Sequence, residues 1–159
     1  MKSSRARLTL VGAMALGLAA CGGDKPAPKP AVNLYQADCY TVDPYQPIRI
    51  DKPAAGVPEN MTAFLGAWGG GAWDGSVCHD LWVMNVDPAG NVLMFDAHGP
   101  GFFPDATAFT RKGKITPEGR MRVRKGPATV EYWIGDDGRL YGSRTIGKKT
   151  QHVIMSRRS

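Results

Sequence analysis

From Ala63 onward the chain is cut at short intervals by turn signals: "DPAGN" at 87–91, "HGPG" at 98–101, "TPEG" at 116–119, "GDDG" at 135–138 and "GKK" at 147–149. Glycine, proline, aspartate and asparagine supply the backbone angles that reverse a chain, so each cluster separates one extended run from the next. Five reversals imply six or more strands. Between them, Arg120, Arg122 and Arg124 alternate with Met121 and Val123, and Ala128, Val130, Tyr132 and Ile134 alternate with Thr129, Glu131 and Trp133. A period of two marks a strand with one face in a core and the other in water. "CHDLWVMNV" at 78–86 and "VLMFDAH" at 92–98 are apolar on both faces for much of their length, as strands are when they line a core and are also packed from outside. "RLYGSRTI" at 139–146 and "QHVIMSRR" at 151–158 supply a last pair. Connections this short join antiparallel neighbours, and a run of them closes most economically as a meander, since closure removes exposed edges. The expected fold is mainly β: a small antiparallel barrel of about eight strands over residues 63–159.

The segment "GAWGGGAWDG" at 66–75 opens this domain with three glycines between two tryptophans. A strand that bends sharply to begin a small barrel needs positions that accept a bulge and a close backbone approach, which Gly69, Gly70 and Gly71 provide, while Trp68 or Trp73 plugs one end. Gly66-Ala67-Trp68, the Trp-x-Gly-x-x-Trp spacing and the following "LWVMNV" resemble the first strand of the calycin barrels, the lipocalins and avidins, and of bacterial lipocalin-like domains. The resemblance covers about the last 95 residues. It implies a tryptophan sealing the barrel floor and a late-strand arginine packed over it, a role open to Arg144.

The first 20 residues read as an export signal: Lys2, Arg5 and Arg7, then an apolar stretch, Leu8 to Ala20, too short to span a bilayer. Leu18-Ala19-Ala20-Cys21-Gly22 resembles the lipobox of bacterial lipoproteins, in which the chain is cut before the cysteine and that cysteine is acylated. The implication is a lipid-anchored protein of the bacterial cell envelope. Gly22 in place of an aspartate after the modified cysteine points to the outer membrane, facing the periplasm. Residues 21–33, with "GGDKPAPKPA", suit an extended tether, and 34–62 form an irregular lead-in. Loss of the leader takes three positive charges from a chain of formal charge +6, which leaves a mild excess.

Cys39 and Cys78 remain once Cys21 is assigned to lipid, and an exported chain meets an oxidising compartment, so one disulfide joins them. A loop of this length closed by a bridge is worth roughly 4 kcal/mol in the chain-entropy model. A metal pair and a catalytic thiol are the competing readings; Cys78 beside His79 invites the first, but no close second ligand completes a set.

Catalytic groups are thin. His79, His98 and His152, with Asp74, Asp80, Ser76 and Ser143, form no nucleophile elbow, phosphate loop or paired metal motif, so no cofactor and no metal is expected. His79 and Asp80 are neighbours on a strand and point to opposite faces. Two features carry a functional reading. Arg111, Lys112, Lys114, Arg120, Arg122 and Arg124 put positive potential on one hairpin, either as a solvated face or as attraction to anionic headgroups near the anchor. "HGPGFFPDA" at 98–106 places Phe102 and Phe103 in a loop at the barrel mouth. Eight strands enclose room for side chains or for one small molecule, and Trp73, Trp82, Phe95, Met121, Tyr132 and Trp133 cannot all point outward. A shallow pocket near Phe102 and Phe103, with Trp73 and Trp82 as further candidates for ligand contact, is therefore expected in place of a deep cavity.

The leading expectation is a non-enzymatic binding module that holds a small apolar ligand in the barrel or a macromolecular partner, an envelope component, at its mouth. A structural or interaction lipoprotein with a filled barrel comes next, and a small hydrolase or isomerase last. Nucleic acid does not suit an exported lipoprotein. A lysozyme inhibitor fits the size, anchor and disulfide, but a basic hairpin repels a basic lysozyme.

Overall fold

The computed structural model describes Cys39 and residues 48–158, all within the compact unit Asn33–Ser159. The leader, Cys21 and the tether lie outside the described residues. A single helical turn, α1 (Glu59–Thr62), ends the lead-in, and eight strands follow. They are β1 (Gly66–Trp73), β2 (Val77–Val86), β3 (Asn91–His98), β4 (Thr107–Ile115), β5 (Met121–Lys125), β6 (Ala128–Ile134), β7 (Leu140–Ile146) and β8 (Lys149–Arg157). Each pairs antiparallel with the next and β1 pairs with β8, so the sheet closes as a meander barrel.

Closure depends on the glycine run. The β1–β2 register shifts between Trp68 and Gly71, and Gly70 sits at φ 75°, in the left-handed region that a side chain disfavours. At Gly71 an added Cβ would lie 2.6 Å from Met155 Cγ and 2.7 Å from the Ile154 carbonyl oxygen, so the backbone passes too close to β8 for any side chain. The bulge turns β1 from one tryptophan to the other while keeping both indoles inside.

Trp68 seals the floor. Its indole N–H donates to the Phe64 carbonyl at 2.9 Å, and the Arg157 guanidinium lies 4.3 Å from its ring centroid while donating to the carbonyls of Leu65 and Ala63. The arginine over the floor is thus Arg157 and not Arg144, because the register brings the end of β8, not the mouth end of β7, alongside Trp68. Above it the interior is filled by Leu81, Met94, Ile115, Met121, Leu140 and Met155, with Trp73 and Tyr132 higher up.

Of the six large side chains considered for the interior, Trp73, Met121 and Tyr132 face inward. Trp82 and Phe95 form a second cluster with Ile48, Ala67 and Ala97, and Ile50 and Met84 pack against it, so Trp82 and Met84 lie outside the wall, under the lead-in. Trp133 is also outside, stacked on Tyr141 with Arg120 over its other contact surface. The two-faced apolarity of β2 and β3 has this cause: one face lines the barrel and the other is roofed by the lead-in.

The roof is pinned at several points. Cys39 and Cys78 are disulfide-bonded with Cα atoms 5.4 Å apart. Asp80, on the outer face of β2, accepts the Cys39 N–H at 3.1 Å and the Arg158 guanidinium at 2.7 Å, and the Asp51 N–H donates to the Met84 carbonyl at 2.8 Å. Reducing the disulfide, or replacing both cysteines by serine, is expected to cost roughly 4 kcal/mol in urea unfolding. It is also expected to loosen the cover over Trp82, read as a red shift in tryptophan emission under conditions where the barrel's circular dichroism is retained.

Candidate functional site

The end opposite the floor is polar. The inward register of β3 runs Val92, Met94, Asp96, His98, and that of β5 runs Met121, Val123, Lys125, so each strand begins apolar at the floor and ends charged at the mouth. β2 contributes His79, β6 Tyr132, β4 Arg111 and β7 Arg144. Asp96 and His79 are fully buried, and Lys125 is 8% exposed.

Lys125 Nζ donates to Asp96 Oδ1 at 2.7 Å and to the Tyr132 hydroxyl at 2.9 Å. Arg111 Nε donates to Asp96 Oδ2 at 2.8 Å, and His98 Nε2 lies 3.3 Å from the same oxygen. His79 Nδ1 faces the Ala97 carbonyl at 3.0 Å, which can only accept, so that nitrogen carries the proton and Nε2 accepts from the Tyr132 hydroxyl at 3.0 Å. The result is a directional chain from Lys125 through Tyr132 and His79 to the backbone of β3. The His79 and His98 rings stack at 4.6 Å, and Trp73 lies 5.2 Å beneath His79.

The charges follow from this packing. Burial pushes the Asp96 carboxyl up, but the Lys125 ammonium and the His98 hydrogen bond outweigh it, and it stays ionised well below the usual range. Burial lowers Lys125, and Asp96 opposes that shift. Burial and the Asp96 charge push the Tyr132 phenol well above 10, consistent with a hydroxyl that must keep its proton to serve His79. Burial, then Lys125, holds His79 well below its ordinary 6.5, with Asp96 pulling the other way.

A recess of about 320 Å³ opens beside this network, lined by His98, Arg111, Lys125 and Arg144 together with Phe102, Phe103 and Phe109. It exists because β4 and β5 part: their ladder covers only Gly113–Val123 to Ile115–Met121, whereas β4 runs on to Thr107 beside β3. The 99–106 loop carries Phe102 and Phe103 across the opening. Phe102 packs edge-on against His98, and the Arg144 guanidinium lies over its ring, Cζ 3.6 Å from the centroid. On the far side of Phe102 and Arg144 a second recess of about 500 Å³ is bordered by Val77, Ile146, Lys149 and Gln151.

Phe102 and Phe103 therefore stand at the mouth, while Trp73 lies inside below His79 and Trp82 outside the wall, away from the recess. The basic run is not one face. Arg111 turns inward to Asp96; on the outside, Arg122 pairs with Glu131 at 2.8 Å, Arg120 lies 4.7 Å over Trp133, and Lys114 binds the Ala89 carbonyl and Asn91. Lys112 and Arg124 are exposed. Asp96, Lys125 and Tyr132 did not stand out as site residues in the chain, although Asp96 and Lys125 sit at the inward positions of otherwise apolar alternations.

Ligand atoms of His79, Asp96 and His98 lie within 4.8 Å of one another, the spacing of a metal site. The donor set does not suit one: both Asp96 oxygens are taken by Lys125 and Arg111, and those fixed cations repel a third. Cys39, Cys78 and Asp80 form a similar group, but the cysteines are spent on the disulfide.

The unfolded chain protonates its histidines below about pH 6.5, and the folded chain resists this at His79. Its contribution is fully present above pH 6.5 and is lost as the pH falls from there toward the folded value, at about 1.4 kcal/mol per unit where the difference is complete. Thermal melts from pH 7 to pH 5 are expected to show falling stability. His79→Gln, whose amide can still donate to Ala97 and accept from Tyr132, is expected to flatten that window.

No protein-family model matches this chain, and no curated protein matches it.

Proposed function

We propose that this chain is a lipid-anchored binding module of the bacterial cell envelope, holding a small ligand at the mouth of its barrel. The observation that carries the reading is the recess itself, an opening between β4 and β5 with aromatic side chains on one side and polar groups converging from the other. The anchor rests on the Leu18 to Gly22 lipobox and the tether behind it. A binding role, in preference to a catalytic one, is supported by the commitments within the network: both His79 nitrogens and both Asp96 oxygens are engaged by neighbours.

Cys21→Ala is expected to abolish incorporation of labelled palmitate and to release the protein from envelope membranes into the soluble fraction. Continued labelling of that variant rules out the lipobox reading. For the site, the lipidated protein is extracted from its own envelope and examined by native mass spectrometry. Tryptophan fluorescence titration then follows with whatever co-purifies. Changing Phe102 and Phe103 together to serine removes two aromatic surfaces from the mouth and is expected to weaken that ligand ten-fold or more. Unchanged affinity in the double variant excludes the mouth as the site.

The filled interior favours a second reading, an interaction lipoprotein without a small ligand: Trp68, Trp73, Tyr132, Leu81 and Met94 are all fully buried where a deep cavity would otherwise lie. A native mass spectrum showing only the lipidated chain, with no added mass, supports that alternative.

A further inference from the structure

Arg111, Lys125 and Arg144 line the recess, and Asp96 is the carboxylate that answers them. Asp96 is fully used by Lys125 and Arg111, its two oxygens accepting from one each. Arg144 is left over. Arg144 is half-buried, and its Nε and Nη1 are shielded from solvent without a hydrogen-bond partner, which leaves two donors with their desolvation cost unmet. The ring of Phe102 covers one face of its plane and leaves the donor edge as the direction in which it can bond. Lys125 uses two of its three ammonium hydrogens on Asp96 and Tyr132.

Arg144 and Lys125 border a space whose other walls include Phe102, Phe103, Phe109 and Pro127. Resting on the reading of the mouth as a ligand site, we propose that the recess takes a small amphipathic organic anion: a carboxylate head held by Arg144 and Lys125, and an apolar body against Phe102, Phe103 and Phe109. A carboxylate presents two coplanar oxygens, which match the donor edge of a guanidinium whose face is already occupied. A volume of about 320 Å³ limits the apolar body to a short chain or a single ring. A metal cation meets three positive groups there, and a neutral apolar ligand leaves Arg144 Nε and Nη1 without hydrogen-bond partners.

The test is isothermal titration of the full-length protein with octanoate, octan-1-ol and acetate, which separate head from body. Octanoate is expected to bind at one equivalent, at least ten-fold more tightly than octan-1-ol or acetate. Arg144→Gln is expected to bring octanoate to the level of octan-1-ol while the unliganded protein still folds, because no hydrogen bond in the fold depends on the Nε or Nη1 of that side chain. Equal affinity for octanoate and octan-1-ol in the unaltered protein, a comparison that needs no variant to fold, overturns the anion assignment and leaves the mouth site standing. Acetate binding as tightly as octanoate overturns the amphipathic part. Full octanoate preference in folded Arg144→Gln removes Arg144 from the head site. Binding of neither eight-carbon probe, together with a native mass spectrum free of ligand, overturns both this inference and the small-ligand reading beneath it.

Discussion

Asp96 puts a full negative charge inside the barrel, away from water, and the upper half of the interior is arranged around it. An ionised carboxylate in such a place is tolerable only when paired and hydrogen-bonded on every side. Lys125 and Arg111 supply the charge, His98 adds a further donor, and each then needs its own place. Lys125 reaches Asp96 because β5 ends there. Its second bond fixes the Tyr132 hydroxyl, which fixes the tautomer of His79, whose N–H returns to the carbonyl of Ala97, the residue after Asp96. The circuit closes on the strand where it started. Breaking it at Asp96 would leave two cations without a counter-charge in a barrel wall, a change on the order of 3–5 kcal/mol for comparable buried pairs.

The architecture was legible because it is written in local patterns. The turn clusters after β2, β3, β4, β6 and β7 fall where the strands reverse, and the arginine–apolar alternation along β5 gives the buried and exposed sides directly. The glycine run between Trp68 and Trp73 is a bulge, as its composition suggested. Which face of β2 and β3 looks inward was less accessible, since both faces are apolar and a period of two has no contrast to read. Trp82 and Met84 lie outside for that reason, under a lead-in whose Ile48 and Ile50 give little sign in the chain that they roof anything.

The site was harder to see because its parts come from six strands and are joined only by closure. His79 and Asp96 are 17 positions apart and Tyr132 lies 36 further on, so no spacing motif links them. One signal was available: following alternate residues along β3 and β5 carries an apolar inward face onto Asp96, His98 and Lys125. A charged residue at a core position of a strand is a local contradiction, and such contradictions concentrate where a fold is doing something other than packing. The run from Arg111 to Arg124 misled for the complementary reason. Counted as charge it is one patch, but strand alternation divides it, sending Arg111 to Asp96 and leaving the others outside.

Two arginines over aromatic rings mark the two ends of the barrel, and the difference between them separates structure from use. Arg157 lies over Trp68 and donates from Nη1 to the Leu65 carbonyl and from Nη2 to the Ala63 carbonyl, so both ends of its guanidinium serve in closing the floor. Arg144 also lies over an aromatic ring, that of Phe102, yet its Nε and Nη1 have no hydrogen-bond partner. A cation–π contact is worth about 0.5–2 kcal/mol, and it leaves the Nε and Nη1 donors of Arg144 unbonded. Side chains fill the barrel from the floor to Trp73 and Tyr132, so the space that remains lies at the mouth, where β4 and β5 diverge and where Arg144 stands. The packing that denies this barrel a deep cavity also places Arg144, whose Nε and Nη1 have no hydrogen-bond partner, at the opening that a ligand would enter.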